Sequence, residues 1–362
     1  MKQNKKILIL ALHRLNRSPG QRYRFESFLQ FFNEYGYDYE LSYLLNEKED
    51  KIFYGKGNYV RKIWIVIRSF LKRWKQAGNL KQYDLIYLFR DTQFLGNTIA
   101  ERKMKRSGVK MVFDFDDAIF IKDMSEGNKL FSFVKNPDKI SKIISLCDAI
   151  TAGNNFLADY AKQYNNHVKV IPSVVDTDWY QPKEFSAKEK ICIGWTGSTT
   201  TIKHFELILP VFIQLKKKYG DKIYFKIIGD ENYRNEELKI KGEKWSAQTE
   251  VSDLSEMDIG IMPMPDDEWS KGKCSMKGLQ YMGMGIPAAM SNVGMNREVI
   301  EDGVNGFLCS SNEEWLEKLS TLIENADLRR SFGIAGRKTV EEKFSIHANK
   351  EKFFAVLNEL TK

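Results

Sequence analysis

The sequence predicts an α/β protein with two doubly wound, Rossmann-like domains that face a central cleft. Short apolar runs typical of buried strands alternate with segments of helical period along the whole chain. The chain has 362 residues, which is long for one hydrophobic core. A polar stretch at 176–190 separates two complete sets of strands, so we place the domain boundary at 186/187, between residues 1–186 and 187–345.

Each predicted strand is a short apolar run, and each predicted helix repeats apolar residues every three or four positions. In the first half the predicted strands are Ile7–Leu12, Leu85–Phe89, Met111–Phe115, Ala149–Ala152 and Val168–Ile171. The predicted helices between them are Arg24–Tyr35, Val60–Gln76, Gly96–Ser107 and Ile140–Leu146. In the second half the predicted strands are Ile191–Trp195, Tyr224–Ile228, Ile259–Met262, Ala288–Ser291 and Gly306–Leu308. The predicted helices there are Phe205–Lys218, Lys277–Met284, Asn312–Asn325 and Asp327–Lys343. Such alternation produces parallel sheets, whose ligands bind at the carboxyl ends of the strands.

Composition and charge narrow the class of protein. The chain is 43% hydrophobic and 29% charged, as in an ordinary globular protein, and its net charge of +8 favours an anionic partner. Four scattered cysteines show no zinc spacing and are typical of reduced thiols in a cytoplasmic protein. The apolar run at 7–12 is shorter than the core of a signal peptide, and no run approaches the ~20 apolar residues of a membrane-spanning helix.

The segment 272–287 has the pattern of a phosphate-binding loop that opens a helix. Its small and flexible residues leave free N–H groups at a helix N-terminus, which attract an anion together with the helix dipole. Lys273 and Lys277 lie four positions apart and add charge on one face. Gly285 and Pro287 then end the helix. An ordinary helix start with solvated lysines is the alternative.

Other strand ends in the second half carry candidate ligand-binding residues. Gly197 and Ser198 follow one strand, with Lys203 placed to pair with a phosphate, although a simple N-cap with a surface lysine fits equally well. Gly229 and Asp230 end the next strand and suit a base or ribose. Beyond Pro263, the acidic loop 266–268 could accept hydrogen bonds from sugar hydroxyls, or could simply be solvated.

Two segments in the first half follow strands and carry charge. Asp114, Asp116 and Asp117 cluster at a strand's carboxyl end, where they could act as a base, hold a metal, orient a hydroxyl, or cap the next helix. A basic helix start after the first strand could face an anionic acceptor. Its candidate acceptor-binding residues are Arg17, Gly20, Arg22 and Arg24.

Residues 51–81 hold nine Lys or Arg and no Asp or Glu, with Trp64 and Trp74 among them. This pattern indicates a helix lying on an anionic membrane surface. A core-packed helix with a solvated basic face is an alternative. Nucleic acid is a third, but no named nucleic-acid motif supports it.

Taken together, these segments resemble the GT-B glycosyltransferases, specifically retaining glycosyltransferase family 4, or glycosyl transferases group 1. The resemblance covers nearly the whole chain and is strongest over 191–308. The matching segments are 197–203, Ile227-Ile-Gly229-Asp230, Asp258-Ile-Gly-Ile-Met-Pro263, 272–287 and Gly294–Leu308. The resemblance implies that the second domain binds a nucleotide-diphosphate sugar and the first an acceptor. It also implies that the C-terminal helix, residues 346–362, crosses back onto the first domain.

The chain departs from the family pattern at three places. Gly272 and Gln280 stand where the family usually has two glutamates, and Gln280 could still bind ribose. Ser198 replaces an arginine, while Lys203 matches the family's lysine. Asp116 aligns with a histidine of many members, which places it beside the reacting sugar. A branch with a Gly-Lys-Cys turn and an Asp-Phe-Asp-Asp strand end shares these departures.

The resemblance therefore implies a retaining hexosyltransferase of cell-envelope polysaccharide synthesis, cytoplasmic or peripheral on the inner face of the plasma membrane. Its donor would be a UDP- or GDP-sugar and its acceptor a glycan or lipid-linked oligosaccharide, with no metal, cofactor or nucleic acid. Asp116 and Lys203 are the predicted catalytic residues. The predicted donor-binding residues are Gly197, Ser198, Gly229, Asp230, Pro263, Glu268, Lys273, Cys274, Ser275, Met276, Lys277 and Gln280. A non-catalytic glycan- or lipid-binding module and a nucleotide-sugar epimerase are the alternatives.

Overall fold

The chain divides into two units, each built around its own parallel β-sheet. The structure, a computed structural model, describes residues 4–121, 136, 138–182, 184 and 188–362. The first unit comprises Met1–Ser173 and Asn349–Lys362, and the second comprises Val174–Ala348. The predicted boundary at 186/187 lies outside the described residues.

The first unit has a six-stranded parallel sheet in the order β2-β1-β3-β4-β5-β6. Its strands are β1 Lys5–Leu10, β2 Tyr37–Ser42, β3 Leu85–Phe89, β4 Lys110–Phe115, β5 Ala149–Ala152 and β6 Val168–Val170. β3 and β5 are buried at every position, which is why their sequences are continuous apolar runs. β2 was not predicted from the sequence, because it is an edge strand whose middle residues, 38–40, are polar or exposed.

The helices of the first unit are α1 Pro19–Gln21, α2 Glu47–Tyr54, α3 Tyr59–Gln76, α4 Ile99–Lys105, α5 Asp138–Leu146 and α6 Asn155–Lys162. A capping box closes the start of α2, where Asn46 and Glu49 each accept a hydrogen bond from the other's backbone N–H. The predicted helix over 24–35 is wrong. A π-helical turn, Arg22–Glu26, and a 3₁₀ turn, Leu29–Phe31, replace it, because the backbone of Arg24 is not helical.

The second unit has a five-stranded parallel sheet in the order β13-β12-β11-β7-β8, beside a small antiparallel pair, β9 and β10. Its strands are β7 Ile191–Thr196, β8 Ile223–Ile228, β9 Arg234–Asn235, β10 Ile240–Lys241, β11 Ile259–Met262, β12 Ala288–Ser291 and β13 Phe307–Cys309. Its helices are α7 Ile202–Glu206, α8 Leu209–Tyr219, α9 Glu250–Ser255, α10 Glu268–Lys271, α11 Met276–Gly283, α12 Asn296–Val299, α13 Asn312–Glu324 and α14 Ala326–Thr339. One face of this sheet, which includes the ring of Trp195 on β7, packs on α8 and α13 to form an apolar core.

The last helix, α15 Ile346–Leu360, begins in the second unit and ends in the first. Its aromatic residues fill the core of the first unit. The Phe353 ring stacks on Phe28 at 4.3 Å between centroids, and Phe354 stacks on Tyr35 at 3.9 Å. These ring contacts explain why residues 349–362 belong to the first unit although they come last in the chain.

All four cysteines are buried free thiols. Among the described residues, none of the helices combines the length and the apolar composition that crossing a membrane requires.

Candidate functional site

The loop before α11 holds its helix N-terminus open at the carboxyl edge of the second sheet. Ser275 adopts a left-handed backbone, with φ at +53°, and its side chain does not cap the helix. The Ser275 hydroxyl instead donates to Asn296 Oδ1 at 2.6 Å, and Asn296 Nδ2 donates to the carbonyl of Ser291 at 2.9 Å. The strained serine is thus tied to the end of β12, and the first turn of α11, from Met276, is left for an anion.

Contacts to two further strand ends fix the position of α11. The backbone N–H of Thr196, the last residue of β7, donates to the Tyr281 hydroxyl at 2.9 Å. The turns after β7 and β8 also meet closely, because Gly197 N–H donates to the Ile228 carbonyl at 2.9 Å. A Cβ atom on Gly229, whose φ is +120°, would lie 1.7 Å from the Gly197 oxygen. Only glycine fits there.

Three lysines and a histidine gather beside this helix start. Lys203 is exposed in α7, Lys273 lies over the Trp269 ring at 4.6 Å, and Lys277 lies over the Trp195 ring at 5.4 Å. His204 directly follows Lys203 in the chain. Burial lowers the pKa of His204 to about 4, and the charges of Lys277, Lys203 and Lys273 add to that effect. Because all three ammonium groups act on one imidazole, they form a single cationic cluster.

The pKa of Lys277 is lowered to about 8, first by burial and then by repulsion from Lys273. An anion that binds beside Lys277 would stabilise the charged form of this lysine, because it supplies the negative charge that offsets burial and the repulsion from Lys273. We call Lys203, Lys273 and Lys277 the cationic cluster.

The remaining predicted donor residues of the second unit lie around the same strand ends. Asp230, after β8, is buried and accepts from the Asn232 N–H at 3.1 Å. Pro263 and Cys274 are buried. Ser198 is exposed, and its hydroxyl lies 2.9 Å from that of Thr200.

Two of the three residues of the acidic loop have partners within the loop and α10. Asp267 caps α10, since its carboxylate accepts from the Ser270 N–H at 2.7 Å. Glu268 is exposed and pairs with Lys271 at 2.6 Å. That Glu268 replaces the missing glutamate at the donor stays a prediction.

Gln280 does not present its amide donors to a ligand, contrary to the prediction. It is buried, and its Nε2 donates to Tyr180 Oη and Glu250 Oε1, each at 3.1 Å. Glu250 also accepts from Trp245 Nε1 at 2.9 Å and from Tyr180 Oη at 2.7 Å. This buried network uses both amide hydrogens of Gln280, which contradicts the donor part of the prediction, while its role as an acceptor from ribose stays a prediction.

At the carboxyl edge of the first sheet, Asp116 follows β4 and Arg90 follows β3. Asp116 Oδ1 accepts from Arg90 Nε at 2.5 Å, and Arg90 Nη2 lies 3.8 Å from Asp117 Oδ2. Gly20 lies beside this pair, where a Cβ atom would be 3.0 Å from Arg90 Nη2 and 3.4 Å from Asp116 Oδ2. The structure therefore brings together two residues, Gly20 and Asp116, that the sequence placed in separate motifs.

The three arginines near α1 have different partners within the first unit. Arg24 is buried and forms a two-pronged ion pair with Asp114, Nε to Oδ2 at 3.1 Å, while also donating to the Ile171 carbonyl. The prediction that Arg24 binds an acceptor is wrong, because its guanidinium is used inside the core. Arg17 pairs with the buried Asp50, and Arg22 lies over the Tyr23 ring at 5.1 Å.

The sequence did not point to several residues that shape these sites. Asn296, Tyr281 and Glu250 each form a hydrogen bond with a residue at least 20 positions away in the sequence. The role of Arg90 is recognisable only from its ion pair with Asp116. His204 could have been identified from the sequence, because it directly follows the predicted phosphate-binding residue Lys203.

Two parallel-sheet units of this kind are the architecture of the GT-B fold. Residues 190–325 match the family model described as glycosyl transferases group 1. The chain thus has the GT-B fold, and its second unit carries the match to glycosyl transferases group 1.

Individual proteins agree with this class. A glycosyltransferase of Methanocaldococcus jannaschii is 23% identical over 302 residues, which cover 76% of this chain and 75% of that protein. Sucrose-phosphate synthase from Thermosynechococcus elongatus has a TM-score of 0.72 at 10% identity, with 99% of both chains covered. HepE of Anabaena, solved with UDP and glucose, has a TM-score of 0.67 at 13% identity, covering 98% of this chain and all of that one. The structural likenesses show the fold.

Proposed function

We propose that the protein transfers a hexose from a nucleotide-diphosphate sugar to a hydroxyl group of an acceptor, with retention of configuration at the anomeric carbon. The observation that carries this proposal is the cationic cluster beside the open start of α11. A diphosphate has the charge and the oxygen acceptors that such a cluster and such a helix start would bind. HepE, which has the same fold, was solved with UDP-glucose, and this supports a UDP-sugar over a GDP-sugar as the donor.

In the proposed reaction the bond between the anomeric carbon and the diphosphate oxygen breaks. The negative charge that grows on the diphosphate is stabilised by Lys203, Lys273, Lys277 and the first amides of α11, and stabilising charge that develops in the transition state lowers the barrier. The acceptor hydroxyl oxygen attacks the anomeric carbon from the face that the diphosphate leaves, and its proton passes to the departing diphosphate. Metal and cofactor have no part in this proposal.

Asp116 is the proposed group of the first unit that acts at the reacting sugar. The Arg90 ion pair supports this role, because it fixes the orientation of the carboxylate at the end of β4. The proposed acceptor is a glycan or lipid-linked oligosaccharide of the bacterial cell surface. The protein would work in the cytoplasm, at the inner membrane face if the acceptor is lipid-linked.

Two substitutions test the proposal because they should separate donor binding from transfer. Lys203→Ala should weaken UDP or GDP binding roughly ten- to hundredfold and leave uridine or guanosine binding unchanged, because one charge-assisted hydrogen bond contributes about 1.5–3 kcal/mol. Lys217→Ala, an exposed lysine of α8, is the matched control. Asp116→Asn should keep the donor affinity and reduce transfer at least about a hundredfold.

Calorimetry measures the first effect, and release of UDP or GDP from a panel of nucleotide sugars, with and without acceptor extract, measures the second. NMR of the product gives the anomeric configuration. If Lys203→Ala binds UDP and GDP as tightly as the parent protein does, the cationic cluster does not bind the donor diphosphate. If donors bind but none is consumed, the protein is a binding module instead.

A further inference from the structure

Helix α3 turns a continuous apolar stripe away from its own unit. Six large apolar residues are exposed along it, including Val60 at 82% and Trp64 at 62%. They follow one another at steps of three, one, three, four and three residues, which places them on one face of the helix. We call this set the apolar stripe: Val60, Ile63, Trp64, Ile67, Leu71 and Trp74.

The opposite face of α3, which packs on the unit, is largely polar. Lys62, Ser69 and Arg73 are buried there, beside Ile65. Arg73 is fully buried and donates to the carbonyls of Ala11, Ser42 and Thr92 at 2.8–2.9 Å. Lys62 Nζ donates to the Gly55 carbonyl at 2.6 Å.

These hydrogen bonds hold α3 in an orientation opposite to that of an ordinary surface helix. A surface helix buries its apolar face and exposes its polar one. Here a buried arginine binds the last residue of β2 and the loops that follow β1 and β3, so the helix cannot roll over without breaking those bonds. The alternative of a core-packed helix with a solvated basic face is therefore wrong, and the stripe is built to meet something apolar.

The charge around the stripe indicates what that partner is. Arg61, Lys72 and Lys75 are exposed and share one edge of the helix, since they lie eleven and three positions apart. Lys103 lies 4.2 Å over the Trp74 ring. Residues 51–81 contain no acidic side chain at all. A surface that is apolar in the middle and basic along its edge is complementary to an anionic lipid bilayer, and tryptophan is favoured at the boundary of headgroups and acyl chains.

We propose that α3 lies in the interface of an anionic membrane, with its axis along the surface and the apolar stripe in the acyl boundary. At 1.5 Å per residue its 18 residues extend about 27 Å along the bilayer. Arg61 and Lys75 meet the lipid phosphates, whereas Lys72 donates to the Tyr43 carbonyl, and Lys62 and Arg73 take no part because they are buried. This inference does not depend on the proposed transfer reaction.

Co-sedimentation of the full chain with lipid vesicles tests the proposal. The protein should bind vesicles of phosphatidylcholine and phosphatidylglycerol in equal parts more tightly than vesicles of phosphatidylcholine alone, and salt should weaken the binding. Trp64→Ser with Ile67→Ser should weaken it at least about tenfold. Ile334→Ser, an equally exposed apolar residue of α14 at 65%, is the matched control.

A second pair of variants tests the basic edge. Arg61→Gln with Lys75→Gln should weaken binding to the anionic vesicles about 25-fold, at roughly fivefold per basic residue. Lys217→Gln with Lys222→Gln, two exposed lysines of the second unit, should have no effect. All the substituted side chains are exposed, so unchanged thermal unfolding should accompany every variant.

The proposal is overturned if the parent protein does not bind anionic vesicles at low salt, or if the stripe variant binds them as well as the parent. Sedimentation velocity tests the main alternative, in which a second copy of the chain covers the apolar stripe. A dimer that becomes monomeric in the stripe variant, without lipid binding by either protein, would identify a second copy of the chain as the partner instead.

Discussion

Lys277 shows how burial and charge combine at the level of single residues. The sequence offers Lys203 as the one strong cation after Gly197, because Ser198 stands where the resembling family has arginine. In the structure Lys273 and Lys277 lie with Lys203 around His204. The charge that Ser198 does not supply is therefore available from α11, and the pKa of Lys277, lowered to about 8, makes that charge depend on pH.

We predict that the affinity for UDP or GDP decreases as the pH rises through about 8. Lys277 is charged below its pKa and neutral above it, so its attraction for a diphosphate is fully present at lower pH and is lost at higher pH. Binding should also take up a proton near pH 8, since the diphosphate raises the lowered pKa. Calorimetry on both sides of that pH, in buffers of different ionisation enthalpy, measures both effects.

Lys277→Met should weaken binding at low pH and remove this step in the pH profile. Lys217→Met provides the control, because Lys217 is exposed and lies outside the cluster. An unchanged pH profile in Lys277→Met would assign the titration to another group.

At the level of elements, the sequence predicted what is local and missed what depends on distant partners. β3, β7 and β8 were predicted within one residue at their ends because buried parallel strands are continuous apolar runs. The start of α11 was predicted within one residue from its glycines and lysines. The orientation of α3 could not be predicted, because its periodicity fixes which residues share a face but not which face is buried. That choice is made by Arg73 and the three carbonyls it meets, at the end of β2 and in the loops after β1 and β3.

The turn after β8 is an element whose geometry is set by one glycine, and we predict that Gly229→Ala disrupts it. The new Cβ would lie 1.7 Å from the Gly197 oxygen, so the turns after β7 and β8 would have to separate. Stability should fall by the cost of a left-handed alanine, about 1–2 kcal/mol, and by a further ~1–3 kcal/mol of overpacking strain. Nucleotide affinity should fall as well, because Gly197 leads into the loop before Lys203.

Gly303→Ala is the matched control for this prediction. Gly303 also has a positive φ, of +79°, but a Cβ atom there meets nothing within 4 Å. It should show only the conformational cost and keep its nucleotide affinity. Urea unfolding and calorimetry compare the two variants, and equal losses in both would show that close packing at Gly229 is unimportant.

At the level of the whole molecule, the end of the chain completes a unit that the beginning of the chain starts. Phe354 of α15 is fully buried, stacks on Tyr35 and meets the Phe32 ring edge-on at 5.4 Å between centroids. Tyr37 on β2 donates from its hydroxyl to Asn358 at 2.7 Å. The sequence places these residues more than 300 positions apart, so only the resemblance to GT-B enzymes indicated that the last helix packs in this way.

We therefore predict that Phe354→Ala destabilises the first unit selectively, by about 3–5 kcal/mol, the usual cost of removing a buried phenylalanine ring. Lys352→Ala, two residues away on the exposed face of α15, should change stability by less than about 0.5 kcal/mol. Hydrogen exchange measured by mass spectrometry should show faster exchange in peptides of β1, β2 and α15, and unchanged exchange in β7, β8 and α11. Saturating UDP should then protect the second unit of the variant as well as it protects that of the parent, since the cationic cluster is intact. Equal loss of protection in both sheets would contradict the prediction, because it would mean that the packing of α15 supports the second core as much as the first.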